Sequence, residues 1–188
     1  MLVRIRMATF MYSAAMSLDG FIAGPGGDMS WMAAYVGPNP VVEELITQTG
    51  ALLVGNRTFS GDDPMKGTEG EGEAFGGGWD GPQYVVTHRP PAVSPPGVTF
   101  VADIGTAIKE SGSAAGDKYV NILGADVAAQ CLVAGVLDEV VVSVLPVFIG
   151  DGTRLFDHPG GHLVRLAQLS VAHTSRVTNL RYRVESKP

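Results

Sequence analysis

The chain has 188 residues, 45% of them hydrophobic and 17% charged, which excludes a mostly disordered protein and suits one domain with a substantial core. Thirteen Lys and Arg against 19 Asp and Glu leave a net charge of -6, which argues against a broad phosphate-neutralising surface. A small-molecule ligand is therefore expected rather than nucleic acid.

Cys131 is the single cysteine, so no intrachain disulfide forms, in keeping with a reducing compartment. No stretch approaches the ~20 apolar residues of a membrane span. Arg4 and Arg6 ahead of Met7 to Leu18 loosely mimic a secretory signal, but Thr9, Tyr12, Ser13 and Ser17 interrupt the apolar run. A first buried strand in a cytoplasmic protein is the expectation.

In chain order, Met11 to Met16 reads as strand one, entering a Gly24-Pro25-Gly26-Gly27 loop. Pro40 to Gln48 reads as a helix with Asn39 as N-cap and Pro40 at its first position. Ala51 to Val54, ending in Gly55, reads as a buried strand, and Thr58 as the opening of a short helix. Residues 60–83 hold eight glycines, six acids and one lysine, a composition that predicts a flexible loop, either a functional lid or a tolerated insertion. Strands follow at Tyr84 to Thr87 and Val98 to Val101. Asp103 caps a helix to about Ser111, Tyr119 to Leu123 is a strand, and Ala125 to Leu137 carries a helical apolar pattern. Val140 to Ile149 reads as one long strand, either core alone or core that also helps form a dimer surface. Leu166 to His173 and Asn179 to Glu185 close the chain as two strands joined without a helix, so that edge is expected to be antiparallel in an otherwise largely parallel α/β sheet.

Three strand ends carry the candidate chemistry: Leu53-Val54-Gly55-Asn56-Arg57-Thr58, Val85-Val86-Thr87-His88-Arg89 and Ile122-Leu123-Gly124-Ala125-Asp126. In open α/β sheets ligands bind where strand ends, loops and helix starts converge. Helix starts and the guanidinium groups of Arg57 and Arg89 suit phosphate oxygens, and together they suggest a dinucleotide footprint. Each feature alone is more often a plain turn or a solvated arginine. No G-x-G-x-x-G follows a strand, which disfavours a standard Rossmann domain. Asp19, in Ser17-Leu18-Asp19-Gly20, reads either as an acid or substrate ligand or as a turn residue, with the turn the commoner role. The histidines His88, His158, His162 and His173 show no metal-ligand spacing, and Ser113, Ser143 and Cys131 lack a nucleophile motif.

Taken as an ordered set, Ser17 to Ala23, Gly55-Asn56-Arg57-Thr58-Phe59, Thr87-His88-Arg89-Pro90, Ile122 to Asp126 and Pro146 to Gly152 with the closing Leu155-Phe156 resemble the dihydrofolate reductase-like superfamily. Within it the chain most resembles the C-terminal reductase domain of the riboflavin-biosynthesis deaminase/reductase. The resemblance covers nearly the whole chain as one domain. It implies a three-layer α/β/α fold with a mixed, mostly parallel sheet of about eight strands, a homodimer, and NADPH-dependent hydride transfer to a C=O or C=N carbon. It implies cofactor contacts at Ala15, Ile22, Gly55, Arg57, Thr58, Thr87, His88, Arg89, Gly124, Ala125, Asp126 and Val127, with Arg89 and its neighbours receiving a 2′-phosphate. On the substrate side it points to Asp19, also the candidate catalytic residue, and to Arg154. Two departures stand out. Gly124-Ala125 replaces the usual Gly-Gly turn, which often carries a cis peptide. No acid follows Trp31 in Ala33-Ala34-Tyr35-Val36-Gly37, which disfavours folate as substrate, while Glu43 and Glu44 are expected to face solvent. A pterin reductase and a non-catalytic dimeric nucleotide-binding module are the alternatives.

Overall fold

The computed structural model describes residues 8–157 and 161–185. Arg4, Arg6, Met7 and His158 lie outside them. Strand β1 (Thr9–Ser17) is followed by the short β2 (Phe21–Ala23), α1 (Pro40–Gln48), β3 (Thr49–Gly55), α2 (Asn56–Phe59), β4 (Gln83–Val86) and β5 (Val98–Val101). Then come α3 (Ile104–Ala115), β6 (Tyr119–Leu123), α4 (Ala125–Val133), β7 (Glu139–Leu145), β8 (Thr153–Arg154), β9 (Leu166–His173) and β10 (Thr178–Val184). Eight strands form one sheet in the order β5-β4-β3-β6-β1-β7-β10-β9. The first six in that order run parallel, and β10 is antiparallel to both β7 and β9. The α/β class and the antiparallel edge follow the sequence expectation.

Side-chain alternation along the strands builds two unlike faces. Tyr12, Leu53, Ile122 and Val142 point to one side and meet Ala107 of α3 and Ala128 and Cys131 of α4. Burial pushes the Cys131 thiol up to about 12, in keeping with a core filler. On the other side Met11 and Val141 pack against Leu45 of α1, and Leu52, Val54 and Val85 pack against Phe75 and Trp79. Helices on one face and α1 with the 60–83 segment on the other make the three layers.

Local chemistry sets the element ends. Asn39 Oδ1 accepts from Val41 N–H at 3.3 Å and Asp103 Oδ2 from Thr106 N–H at 2.6 Å, so α1 and α3 start at the predicted caps. Among the boundaries that differ from expectation, four have a clear local cause. Helix α2 opens at Asn56, not Thr58, because Gly55 is the N-cap residue. Helix α3 runs on to Ala115, until Gly116 at φ +65 diverts the chain. Helix α4 ends at Val133 rather than Leu137, where Gly135 at φ +72 turns the backbone. Strand β7 stops at Leu145 instead of reaching Ile149, since Pro146 has no N–H to continue the ladder. With β1 and β10 on its two sides, β7 is an interior strand of the sheet.

Residues 60–83 are laid across the β3–β4 end of the sheet. Trp79 Nε1 donates to Thr49 O at 3.0 Å, and the Phe75 and Trp79 rings meet edge to face at 6.3 Å. Two large rings are enough to anchor a segment whose average composition is polar. Among the described residues no helix is long and apolar enough to cross a membrane.

Leu53 is fully buried at the centre of the helix-covered face. Leu53→Ala is expected to cost about 2–5 kcal/mol in urea unfolding; a loss under about 1 kcal/mol would contradict this packing.

Candidate functional site

Because the central strands are parallel, their C-terminal ends share one rim. A cleft of about 2350 Å³ opens there, on the α1 side of the sheet. Pockets for one drug-sized ligand are roughly 300–1,000 Å³, so this one has room for two molecules.

One end of the cleft is built by β3, β6 and the helices that follow them. Neither α2 nor α4 has a side-chain cap, so their first N–H groups remain available. The two helix starts touch: a Cβ on Gly124 would stand 2.6 Å from Thr58 Oγ1, and φ +107 at Gly124 is a conformation that favours glycine. The Arg57 guanidinium donates to the Asp126 carboxylate, and both side chains are largely exposed, at 80% and 66%. Such an exposed pair is weak and exchangeable. No cis peptide occurs among the described residues, the Gly124–Ala125 bond included.

Ala15, Ile22, Gly55, Arg57, Thr58, Thr87, His88, Gly124, Ala125, Asp126 and Val127 all line this cleft. Three expected site residues do not. Arg89 lies just beyond the rim, where its N–H donates to Thr87 Oγ1 at 3.1 Å. Arg154 pairs with Phe21 in the small β2–β8 sheet and lays its guanidinium 4.6 Å over that ring, away from the cleft. Asp19 is turned to the neighbouring loop. Its carboxylate accepts from Ser17 Oγ at 2.6 Å, Gly150 N–H at 2.7 Å and Ile149 N–H at 3.1 Å. The Ser17 hydroxyl foremost, then the Gly150 and Ile149 N–H groups, hold the Asp19 carboxyl below the usual range, against a desolvation that pulls the other way. An ionised carboxylate so engaged has no proton to give at neutral pH, and it serves as a clamp. It ties the β1–β2 turn to the loop after β7, whose Asp151, Gly152 and Thr153 do reach the cleft.

The far end of the cleft was not anticipated. Thr174, Ser175 and Arg176, from the turn between β9 and β10, line it, and Arg176 donates to Ala34 O at 3.2 Å. Lone residues in a hairpin turn carry no motif; only the antiparallel return of β10 brings them to this rim. Glu43, expected in solvent, is exposed yet forms part of the α1 wall. The floor holds Ser13, Asn121 and Ser143 on three adjacent strands.

The eight-stranded sheet and its rim cleft define a protein of the dihydrofolate reductase-like class. The RibD C-terminal domain profile matches residues 8–108, more than half of the chain, and the chain belongs to that family. Solved structures share the fold at low identity. A Shewanella sp. PV-4 protein assigned to riboflavin biosynthesis is 21% identical with a TM-score of 0.71, over 95% of this chain and 99% of that one. A diaminohydroxyphosphoribosylaminopyrimidine deaminase/5-amino-6-(5-phosphoribosylamino)uracil reductase from Thermotoga maritima is 19% identical with a TM-score of 0.68, over 95% of this chain. This chain spans 57% of that protein's length. A dihydrofolate reductase from Enterococcus faecalis, complexed with NADP(H), is 13% identical with a TM-score of 0.62, over 96% of this chain and 99% of that one. No curated protein matches the chain.

A depressed carboxyl pKa stabilises the fold above the normal carboxylate range, and that contribution is lost as acid protonates the group. The difference in thermal midpoint between wild type and Asp19→Asn should thus be full at pH 7 and shrink only below about pH 4. A difference that vanishes between pH 5 and 7 would refute the clamp.

Proposed function

We propose that the protein is an NADPH-dependent reductase that delivers hydride to a C=O or C=N carbon of a phosphoribosylamino-pyrimidine, similar to 5-amino-6-(5-phosphoribosylamino)uracil reductase. The observation that carries this reading is the layout of the cleft. Cation and helix starts stand at one end, with Arg57, and a second cation stands at the other, with Arg176. Four strand spacings separate β3 from β10, about 19 Å at roughly 4.8 Å each. That spread suits two phosphorylated ligands whose reactive rings meet over β1. Membership of the RibD C-terminal domain family supports the same chemistry.

The residues present fit a dinucleotide. The N–H groups opening α2 and α4 and the Thr58 hydroxyl suit a pyrophosphate, and the absence of a side chain at Gly124 lets it approach the backbone. NADPH, when bound, supplies the hydride. Arg57 exchanges its Asp126 partner for phosphate, Thr87 and His88 form the wall at the adenosine end, and Arg89 reaches in to favour NADPH over NADH. Ala15 and Ile22 border the nicotinamide site. The protein's task is alignment and exclusion of water. Asp19 is clamped and Glu43 is exposed, so water in the cleft provides the proton. The 60–83 segment, whose Asp62, Met65 and Phe75 line the cleft, acts as a lid anchored by Phe75 and Trp79.

The reading includes a cytoplasmic homodimer. Its support is the sheet edge: β9 is the terminal strand and leaves Leu166, Leu169 and Val171 exposed.

The test is direct. Purified protein with NADPH and 5-amino-6-(5-phosphoribosylamino)uracil should lose NADPH absorbance. Binding of NADPH without oxidation by this substrate or by dihydrofolate would leave a non-catalytic module. Preference for dihydrofolate would move the assignment to a pterin, with Glu43 as the acid in place. Arg57→Ala should weaken NADPH binding by about 1–3 kcal/mol, and Asp126→Asn, which releases Arg57, should tighten it severalfold; two unchanged dissociation constants would contradict the phosphate role. Arg176→Ala should raise KM about tenfold or more for the phosphorylated substrate while leaving NADPH affinity within twofold. Equal KM for both enzymes would remove Arg176 from the substrate site.

A further inference from the structure

The floor of the cleft carries polar groups that none of the cofactor contacts uses. On β1, Ser13 Oγ donates to Asn121 Oδ1 at 2.7 Å, and on β7, Ser143 Oγ donates to Asn179 Oδ1 at 2.8 Å. The two serines and Asn121 line the cleft, Asn179 lies behind Ser143, and the two amides are 0% and 3% exposed. Among the described residues Asn121 Nδ2 has no partner. Buried amides call for hydrogen-bond partners, and an unpartnered one at a cleft floor has a donor to offer a ligand.

The direction of the Ser143 hydrogen bond is dictated from outside the cleft. Val41 N–H, in the first turn of α1, can only donate, so the Asn39 atom facing it is the carbonyl oxygen. Asn39 Oδ1 then accepts from Asn179 Nδ2 at 3.1 Å, and Asn39 Nδ2 donates to Asn179 Oδ1 at 3.0 Å. With both Asn179 ends assigned, the atom facing Ser143 is an oxygen, and Ser143 must donate to it. A serine hydroxyl has one proton. Once it is committed to Asn179, the oxygen offers only lone pairs to a ligand. Ser13, committed to Asn121, does the same. Ser143 opposes Ala15, and Ser13 opposes Val141, so the two oxygens are diagonal neighbours on adjacent strands.

We propose that Ser143, with Ser13 beside it, forms the specificity-determining acceptor pair of the substrate half of the cleft, taking ring N–H donors of a flat amino-pyrimidine. Asn39 and Asn179 are positioning residues that lock the acceptor state. The assignment rests on the reductase reading for its substrate class. Strand order places the pair on the substrate side: β7 lies across β1 from β6 and β3, where Gly124 and Arg57 stand. A ring that presents carbonyl oxygens to this floor meets lone pairs with lone pairs and is rejected. With no carboxylate on the turn after Trp31, neutral hydroxyls hold the ring without asking it to be protonated.

The test reads binding and needs no turnover. Titrate 5,6-diaminouracil and 1,3-dimethyl-5,6-diaminouracil, whose ring N–H groups are methylated, into the full chain in the presence of NADPH. The wild type should prefer the unmethylated ring about tenfold or more. Ser143→Ala should lose most of that preference at unchanged NADPH affinity, and Ser143→Thr, which keeps a hydroxyl, should retain it. Asn179→Leu, which unlocks the Ser143 proton, should also reduce the preference without moving the NADPH constant. No binding of the diaminouracil, no preference in the wild type, or a preference that survives Ser143→Ala as a purely steric effect overturns the proposal. A weaker NADPH constant in Ser143→Ala with the preference intact also overturns it, by assigning the hydroxyl to the nicotinamide carboxamide. The reductase reading fails separately, in the oxidation assay; a preference erased by Ser143→Ala upholds the floor even then.

Discussion

Everything at this site depends on β1, β3, β4, β6 and β7 running in the same direction. Parallel strands bring their C-terminal ends to one rim, and each must be followed there by a loop or a helix start. The free N–H groups of α2 and α4 are a consequence of that geometry. So is the contact between Gly124 and Thr58, which are far apart in the chain yet meet because β3 and β6 are neighbours. The antiparallel return of β10 adds the last piece, delivering Arg176 to the same rim.

Charge at the rim is balanced rather than accumulated. Arg57 meets Asp126, so the end of the cleft at α2 and α4 is near neutral. An exposed pair of this kind contributes little to stability, which leaves it free for exchange. Asp19 behaves oppositely. Three donors converge on it, and it holds two loops together. Two acids close to one cleft thus have different roles, set by whether their partners are fixed backbone N–H groups or one mobile guanidinium.

Much was legible in the residues. Asn39 and Asp103 announced their helices, the apolar runs around Leu53 and Ile122 announced buried strands, and the Gly55, Thr87 and Gly124 segments marked the rim where the cleft opens. What misled was local reading of residues whose partners are distant. The run from Val140 to Ile149 is uniformly apolar, but only Pro146 and the pull of Asp19 on Ile149 and Gly150 show where the strand ends. Arg154 sits inside a conspicuous motif, and its pairing with Phe21 takes it out of the cleft. Residues 60–83 look wholly polar on average, while Phe75 and Trp79 dock them against Leu52 and Val85.

The sequence alone determined the α/β class, the antiparallel edge and the caps, because those depend on short-range periodicity and on strand-to-helix junctions; eleven of the cleft-lining positions came from the resemblance to a known family. Only the tertiary structure decided that Asp19 is a clamp, that Arg57 answers to Asp126, and that Arg176, Ser13 and Ser143 belong to the site. Each of those roles is set by a partner far along the chain, and a hydrogen bond between distant residues leaves no period or spacing in the sequence to read.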